Sequence, residues 1–237
     1  MTKIFAHRGF SSKHPENTMP AFEAALDIGA HGIEIDVQFT SDGKIVITHD
    51  EMLKRTTGEE GYIFSSIYDD LSKLNFSAPM PGYAPTKIPL LSELLELLKN
   101  RDTLLNIELK NSVVEYTGLE QAVIKMAKEY DMLDRVILSS FNHNSMLYAK
   151  DSEPSVQTGL LYSCVIHSAA DYAKSCKADA IHPLFWTVKK DLLVSCALNG
   201  IVLRPWTVDI PEYINKMLEA NVDSVITNCP DIALSLI

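Results

Sequence analysis

Two histidines, three carboxylates and two strong cations recur at strand-like positions of this chain, and their chemistries fit one another. The pieces are His7-Arg8-Gly9, Pro15-Glu16-Asn17-Thr18, Glu34-Ile35-Asp36, Thr48-His49-Asp50 and, further on, Glu108-Leu109-Lys110. Glu34, Asp36 and Glu108 can hold a hard cation. His7 and His49 can move protons near neutral pH. Arg8 and Lys110 can grip an anion, and the fork of an arginine suits a phosphodiester. Together these groups imply metal-assisted cleavage of a phosphate ester.

The case for a metal rests on strand alternation, since successive side chains of a strand point to opposite faces. In Ile33-Glu34-Ile35-Asp36-Val37 the apolar residues share one face and the two carboxylates the other. Leu105-Asn106-Ile107-Glu108-Leu109-Lys110 repeats the pattern, with Glu108 and Lys110 on its polar face. Neighbouring carboxylates in a strand covered on both faces would repel one another and be poorly solvated; a cation removes both costs. Any one of these acids alone reads better as a solvated strand edge or a partner of Arg or Lys. As a set at the ends of apolar strands they read as a site, and all-oxygen ligands favour Mg²⁺ or Ca²⁺ over zinc. Of the seven histidines, His14, His31, His143 and His167 fall in expected loops or on helix surfaces. His182 ends a strand before Pro183 and could reach a pocket, though a structural role is the better reading. His7 and His49 end apolar strands on the side of the carboxylates.

The elements that must position these groups alternate along the chain. Strands are expected over 3–8, 32–40, 45–49, 104–110, 136–141, 157–162, 180–182, 201–208 and 224–227, from their apolar runs and alternation. The 45–49 segment follows the turn Ser41-Asp42-Gly43-Lys44 and reads as a hairpin arm. Helices are expected from near Pro20 to Gly29, with Asn17 or Thr18 as cap, and over 92–99, 115–130, 143–150, 169–177, 190–198, 211–220 and from Pro230 onward. Residues 51–87 are irregular and rich in Gly, Ser and Pro, with aromatics that suit either a lid or a small core of their own. Leaving out the hairpin arm, eight strand–helix units remain, which indicates a (β/α)8 barrel, an α/β fold whose chemistry sits at the strand ends.

Composition narrows the partners. The 237 residues carry 46% hydrophobic residues and a formal charge of −10. The charge argues against nucleic acid and anionic membranes, so local cations must attract a negative substrate. No apolar stretch approaches the ~20 residues of a membrane span and no signal segment opens the chain, so no stable membrane association and a cytoplasmic location are expected. Cys164, Cys176, Cys196 and Cys229 form no C-x-x-C pair and read as small buried hydrophobes. The oligomeric state is not legible.

The motifs above, in register, resemble the glycerophosphodiester phosphodiesterases. The resemblance runs through Thr40-Ser41-Asp42-Gly43, Arg55-Thr56-Thr57-Gly58, Ile88-Pro89-Leu90-Leu91, Ser140-Phe141, Trp206-Thr207-Val208 and Thr227-Asn228-Cys229-Pro230, and covers essentially the whole chain. It implies one TIM-barrel domain over 1–237 with a small insertion after the second strand, about 45–90. It implies hydrolysis of glycerophosphodiesters, such as glycerophosphocholine or glycerophosphoethanolamine, to glycerol 3-phosphate and an alcohol, in lipid and glycerol metabolism. By position Glu34, Asp36 and Glu108 correspond to metal ligands, His7 and His49 to the acid–base pair, Arg8 and Lys110 to phosphate ligands. Trp206 corresponds to a tryptophan of the substrate groove. Two positions depart from the family pattern. Asn228 stands where Asp is usual, which puts a supporting carboxylate at that corner in doubt, and Asp209 stands where Asn is common. Two other readings use the same fold: a lysophospholipase D-type enzyme on lipid substrates, and a binding module without turnover.

Overall fold

The computed structural model describes residues 1–237. Its strands are β1 (Lys3–His7), β2 (Gly32–Phe39), β3 (Ile45–Ile47), β4 (Leu104–Leu109), β5 (Val136–Ser140), β6 (Gln157–Tyr162), β7 (Ala180–Pro183), β8 (Val202–Leu203) and β9 (Ser224–Thr227). The parallel strands run in the order β8-β7-β6-β5-β4-β2-β1-β9, and β3 hangs antiparallel on β2. The ring closes through hydrogen bonds between the two ends of this series: Asp223 N–H to Leu203 O at 3.1 Å, Ile226 N–H to Pro205 O at 3.0 Å and Val208 N–H to Ile226 O at 2.9 Å. Helices α1 (Met19–Asp27), α4 (Leu91–Leu98), α5 (Leu119–Glu129), α6 (His143–Ser152), α7 (Ala169–Ser175), α8 (Lys190–Asn199), α9 (Pro211–Glu219) and α10 (Pro230–Leu234) alternate with the parallel strands. The architecture is a (β/α)8 barrel. Two short helices, α2 (Lys54–Thr57) and α3 (Tyr68–Leu71), lie between β3 and α4.

The sequence makes this arrangement the one that buries its apolar faces. In α4 the residues Leu91, Leu94, Leu95 and Leu98 recur at helical spacing and are all fully buried. Each such leucine stabilises the barrel by about 1.5–3 kcal/mol. In β2, Ile33, Ile35 and Val37 join the main core under the helices, while Glu34, Asp36 and Gln38 point to the other face and are also buried. A second, smaller core of Val46, Leu53, Ile63, Leu71, Phe76 and Ile88 holds the segment after β2 together.

Some boundaries depart from expectation for identifiable reasons. The helix expected from Glu115 starts at Leu119, because Gly118 takes a left-handed φ of 84° and turns the chain just before it. The strand expected over 201–208 is reduced to Val202–Leu203, since Pro205 has no N–H to give a ladder. Of the four free cysteines only Cys196 is buried; Cys164 is exposed, which corrects the expectation for that residue. Thr18 occupies the N-cap of α1, but its hydroxyl donates to Pro15 O at 2.6 Å rather than to the helix, and Asn17 is used elsewhere.

Candidate active site

Strand register brings the predicted residues together. Pairing of β1 with β2 sets His7 beside Glu34, and pairing of β2 with β4 sets Asp36 beside Glu108. One ligand oxygen from each of Glu34, Asp36 and Glu108 lies within 4.8 Å of the others, and all three residues are buried. His7, Arg8, Glu34, His49, Glu108 and Trp206 border one cavity of about 160 Å³ at the C-terminal ends of the strands. Asp36 lies just behind this wall, and Lys110 reaches both Glu108, at 2.9 Å, and Asp36, at 3.9 Å. Arg8 Nε stands 3.2 Å from Asp36 Oδ2, and its Nη1 donates to Glu16 at 2.9 Å. A larger cavity of about 420 Å³ beside Tyr162, His167 and Lys189 contains no carboxylate cluster.

A tight turn after β1 aims Arg8 at this site. Arg8 itself has a left-handed φ of 56° and Gly9 one of 79°. A Cβ at Gly9 would stand 2.7 Å from the Ala21 backbone, so only glycine lets α1 approach the turn. The Arg8 N–H is held by the carbonyl of Glu34 at 2.8 Å and by its carboxylate at 3.1 Å. Asn17, also at a left-handed φ of 55°, donates to Asp36 Oδ2 at 2.8 Å. It is therefore a support of the acidic cluster rather than a helix cap.

Charges in the cluster are strongly interdependent. Burial, with Asp36 and Glu108 close by, pushes the Glu34 carboxyl well above its ordinary range. Burial and the Asp36 charge push Glu108 up to about 7. Burial works in the same direction on Asp36, but Arg8, His49, Lys110 and the Asn17 hydrogen bond outweigh it and hold Asp36 low. Asp36 Oδ1 is buried without a hydrogen-bond partner. Three converging carboxylates, one with an oxygen that has no hydrogen-bond partner and two pushed toward the protonated form by burial and like charge, are what a hard divalent cation fits.

The two histidines are held differently. His7 Nδ1 lies 2.7 Å from Asn228 Oδ1, and Asn228 Nδ2 donates to Asp209 Oδ2 at 2.7 Å. A carboxylate only accepts, so the amide nitrogen must face Asp209 and the amide oxygen must face His7. The ring therefore donates from Nδ1, and Nε2, 3.8 Å from Glu34 Oε2, carries the lone pair. Burial and the Arg8 charge lower His7 to about 4, so it is neutral at pH 7. The two departures from the family pattern thus touch: a carboxylate does serve this corner, one bond further out, through Asp209. His49 Nδ1 instead lies 2.6 Å from Asp50 Oδ1. Its backbone is held by Gln38, whose Nε2 is within 2.9–3.2 Å of the carbonyls of Thr48, His49 and Asp50. Tyr116 donates to Gln38 Oε1 at 2.9 Å.

Several contributors were not singled out from the sequence. Asn106 borders the cavity, as do Phe141, Leu161 and Ile226. Asn106 is two residues before Glu108 and Gln38 two residues after Asp36, so strand alternation could have found both. Trp206 packs edge-on against Phe141, with centroids 5.5 Å apart, and donates from Nε1 to His182 O at 2.7 Å. His182 itself does not reach the cavity. Its ring is fully buried in the barrel, where a Cβ on Gly159 would meet it at 2.3 Å. None of Tyr62, Phe64, Tyr68, Phe76 or Tyr83 lines the cavity; Phe76 packs the small second core and Tyr83 hydrogen-bonds His14 at 2.9 Å.

A barrel with an acidic cluster, two histidines and two cations at its strand ends defines a hydrolase of phosphate esters. The model of the glycerophosphoryl diester phosphodiesterase family matches residues 7–232. A glycerophosphodiester phosphodiesterase of Caldanaerobacter subterraneus subsp. tengcongensis is 40% identical over 237 residues, covering 100% of this chain and 98% of that one. One from Bacillus altitudinis is 40% identical over 242 residues, covering 100% and 98%. A phosphodiesterase of Oleispira antarctica, solved in complex with the product sn-glycerol-3-phosphate, superposes with a TM-score of 0.90 at 26% identity, covering 100% and 96%. The chain belongs to the glycerophosphoryl diester phosphodiesterase family and is an enzyme of that kind, a phosphoric diester hydrolase. No helix is long and apolar enough to cross a membrane.

Proposed function

We propose that this enzyme hydrolyses glycerophosphodiesters such as glycerophosphocholine and glycerophosphoethanolamine to glycerol 3-phosphate and an alcohol, with Mg²⁺ or Ca²⁺ held by Glu34, Asp36 and Glu108. The observation that carries the reading is the convergence of those three buried carboxylates, two of which border one small cavity together with His7 and His49. The product bound to the Oleispira antarctica relative supports the choice of substrate class.

Arg8 and Lys110 bind the phosphate and place fixed positive charge where the five-coordinate phosphorus becomes most negative. A bound divalent cation supplies Lewis-acid polarisation of a phosphate oxygen. His7, neutral with its lone pair on Nε2, takes the proton of the attacking oxygen as the new P–O bond forms. His49 gives a proton to the alkoxide as the P–O bond to the alcohol breaks. Trp206 and Phe141 form an apolar wall that positions the substrate beside these groups.

The test is a panel of glycerophosphodiesters, each with a series of divalent metals, read by coupled detection of glycerol 3-phosphate. Turnover with Mg²⁺ or Ca²⁺ is expected. Release of phosphate from monoesters instead, with no diester cleavage, would overturn the reading.

A further inference from the structure

Arg55 lies outside the cavity, on α2, yet a continuous series of hydrogen bonds links it to both sides of the site. Its Nε donates to Asp50 Oδ2 at 2.6 Å and its Nη2 to Asp50 Oδ1 at 3.0 Å. Its Nη1 and Nη2 donate to Glu16 Oε2 and Oε1, at 2.8 and 2.7 Å. Asp50 Oδ1 is also the partner of His49 Nδ1, at 2.6 Å. Glu16 Oε1 is also the acceptor of Arg8 Nη1, at 2.9 Å. One planar guanidinium thus grips two carboxylates by two edges, one carboxylate bonded to a histidine of the cavity and the other to its arginine.

Ordinary surface ion pairs hold two flexible side chains loosely and contribute little. This bridge differs in geometry, because each contact is a two-point fork that fixes a carboxylate plane. Fixing the Asp50 plane fixes the point that the Nδ1 of the His49 ring must meet. Gln38 already holds the backbone of the 48–50 arm, but it does not touch the ring. Half-exposed, the His49 ring has Asp50 as its only hydrogen-bond partner. Although burial opposes it, the Asp50 carboxyl is held down at about 2 by hydrogen bonds from Arg55 and His49, so the partner of the ring stays ionised.

We propose that Arg55 is a positioning residue for phosphodiester hydrolysis: by bridging Asp50 and Glu16 it fixes the His49 ring and the Arg8 guanidinium in one geometry across the cavity. The proposal rests on the acid–base role given to His49 above. It assigns a task to the Arg55-Thr56-Thr57-Gly58 segment beyond stapling the insertion.

The experiment compares Arg55→Ala, Arg55→Lys and His49→Ala with the unaltered enzyme, on glycerophosphocholine with saturating divalent cation. Arg55→Ala should lower kcat at least about tenfold, the scale of misplacing a catalytic group, with a smaller change in KM. Arg55→Lys should behave like Arg55→Ala, because an ammonium cannot form the double fork. Added methylguanidinium should restore Arg55→Ala several-fold and leave His49→Ala unchanged. If Arg55→Ala is poorly folded by circular dichroism, Arg55→Lys, which keeps the charge and most of the volume, decides by the same kcat criterion. Wild-type kcat in the folded Arg55 variants while His49→Ala is inactive would overturn the positioning role alone. Full activity of His49→Ala would overturn the acid–base reading beneath it.

Discussion

At the scale of the residue, the proposed function turns on proton transfer and charge crowding. His7 and His49 each have one ring nitrogen committed, to Asn228 and to Asp50, leaving the other for chemistry. His7→Ala and His49→Ala should each lower kcat by about 10²-fold or more, measured under saturating substrate. The double variant should lose less than the product of the two, since the groups act as a unit. A single variant with near wild-type kcat would make that histidine structural. The carboxylates predict a pH effect. Burial and like charges raise Glu34 and bring Glu108 to about 7, so the metal-free fold binds protons there that the unfolded chain has released. Stability contributed at Glu108 therefore falls as pH rises from the ordinary glutamate range to about 7, and that at Glu34 changes in the same direction. A bound divalent cation removes that cost. The rise in melting temperature on adding Mg²⁺ or Ca²⁺ should grow between pH 5 and 8; a rise independent of pH would contradict the coupling.

At the scale of the element, β2 and the arm after it do most of the positioning. The β2 face Glu34-Asp36-Gln38 supplies two carboxylates and then the amide that ties down the His49 arm. Gln38→Leu would leave the carbonyls of Thr48, His49 and Asp50 without that donor, at about 1–3 kcal/mol per buried unsatisfied group. It should lower kcat more than it lowers substrate affinity, whereas Tyr116→Phe, which removes only the hydroxyl, should cost less. The segment after β3 divides by burial. Phe76→Ala should destabilise it by about 3–5 kcal/mol, checked by denaturant melts, while Phe64→Ser, at an exposed position, should leave the ranking of head groups unchanged.

Much of this was legible in the sequence because alternation and helical spacing act locally. The apolar–acidic repeat of β2 and the leucine stripe of α4 each state which face is buried. The contacts that complete the site are long-range and leave no periodic trace. Glu16 and Arg55 meet although a helix and two strands separate them in the chain, and Asp209 reaches His7 only through Asn228. Boundaries failed where backbone chemistry intervened, at Gly118 and Pro205. His182 bears out the structural reading, although a strand-end histidine looks the same in sequence whether it faces the mouth or the packed barrel interior.

At the scale of the whole molecule, the formal charge of −10 sets the problem that the site must solve. Arg8 and Lys110 are already paired with acids, so they alone give a negative substrate little net attraction. With all three carboxylates ionised, two cations leave the site one charge negative, and a divalent ion reverses that sign. The small cavity also bears on the attacking oxygen. The glycerol 2-hydroxyl lies next to the scissile ester, and attack from it gains an effective molarity of up to about 10⁵ M or more when well oriented. On that route His7 and His49 would exchange roles when water opens the five-membered ring. A 2-deoxy analogue should be cleaved very slowly and glycerol 1,2-cyclic phosphate should be a substrate; comparable kcat/KM for the analogue would leave direct attack by water.

Dependence on a divalent cation held by the acidic cluster is the central claim, and one measurement addresses it directly. The enzyme is stripped with chelator, and glycerol 3-phosphate release from glycerophosphocholine is followed before and after adding back Mg²⁺ or Ca²⁺. Glu108→Gln is run in parallel, with its fold checked by circular dichroism. The account predicts that stripping abolishes turnover, that one of the two ions restores it, and that the folded Glu108→Gln enzyme stays inactive at any ion concentration tried. Full activity in excess chelator, or wild-type activity of Glu108→Gln, would contradict it.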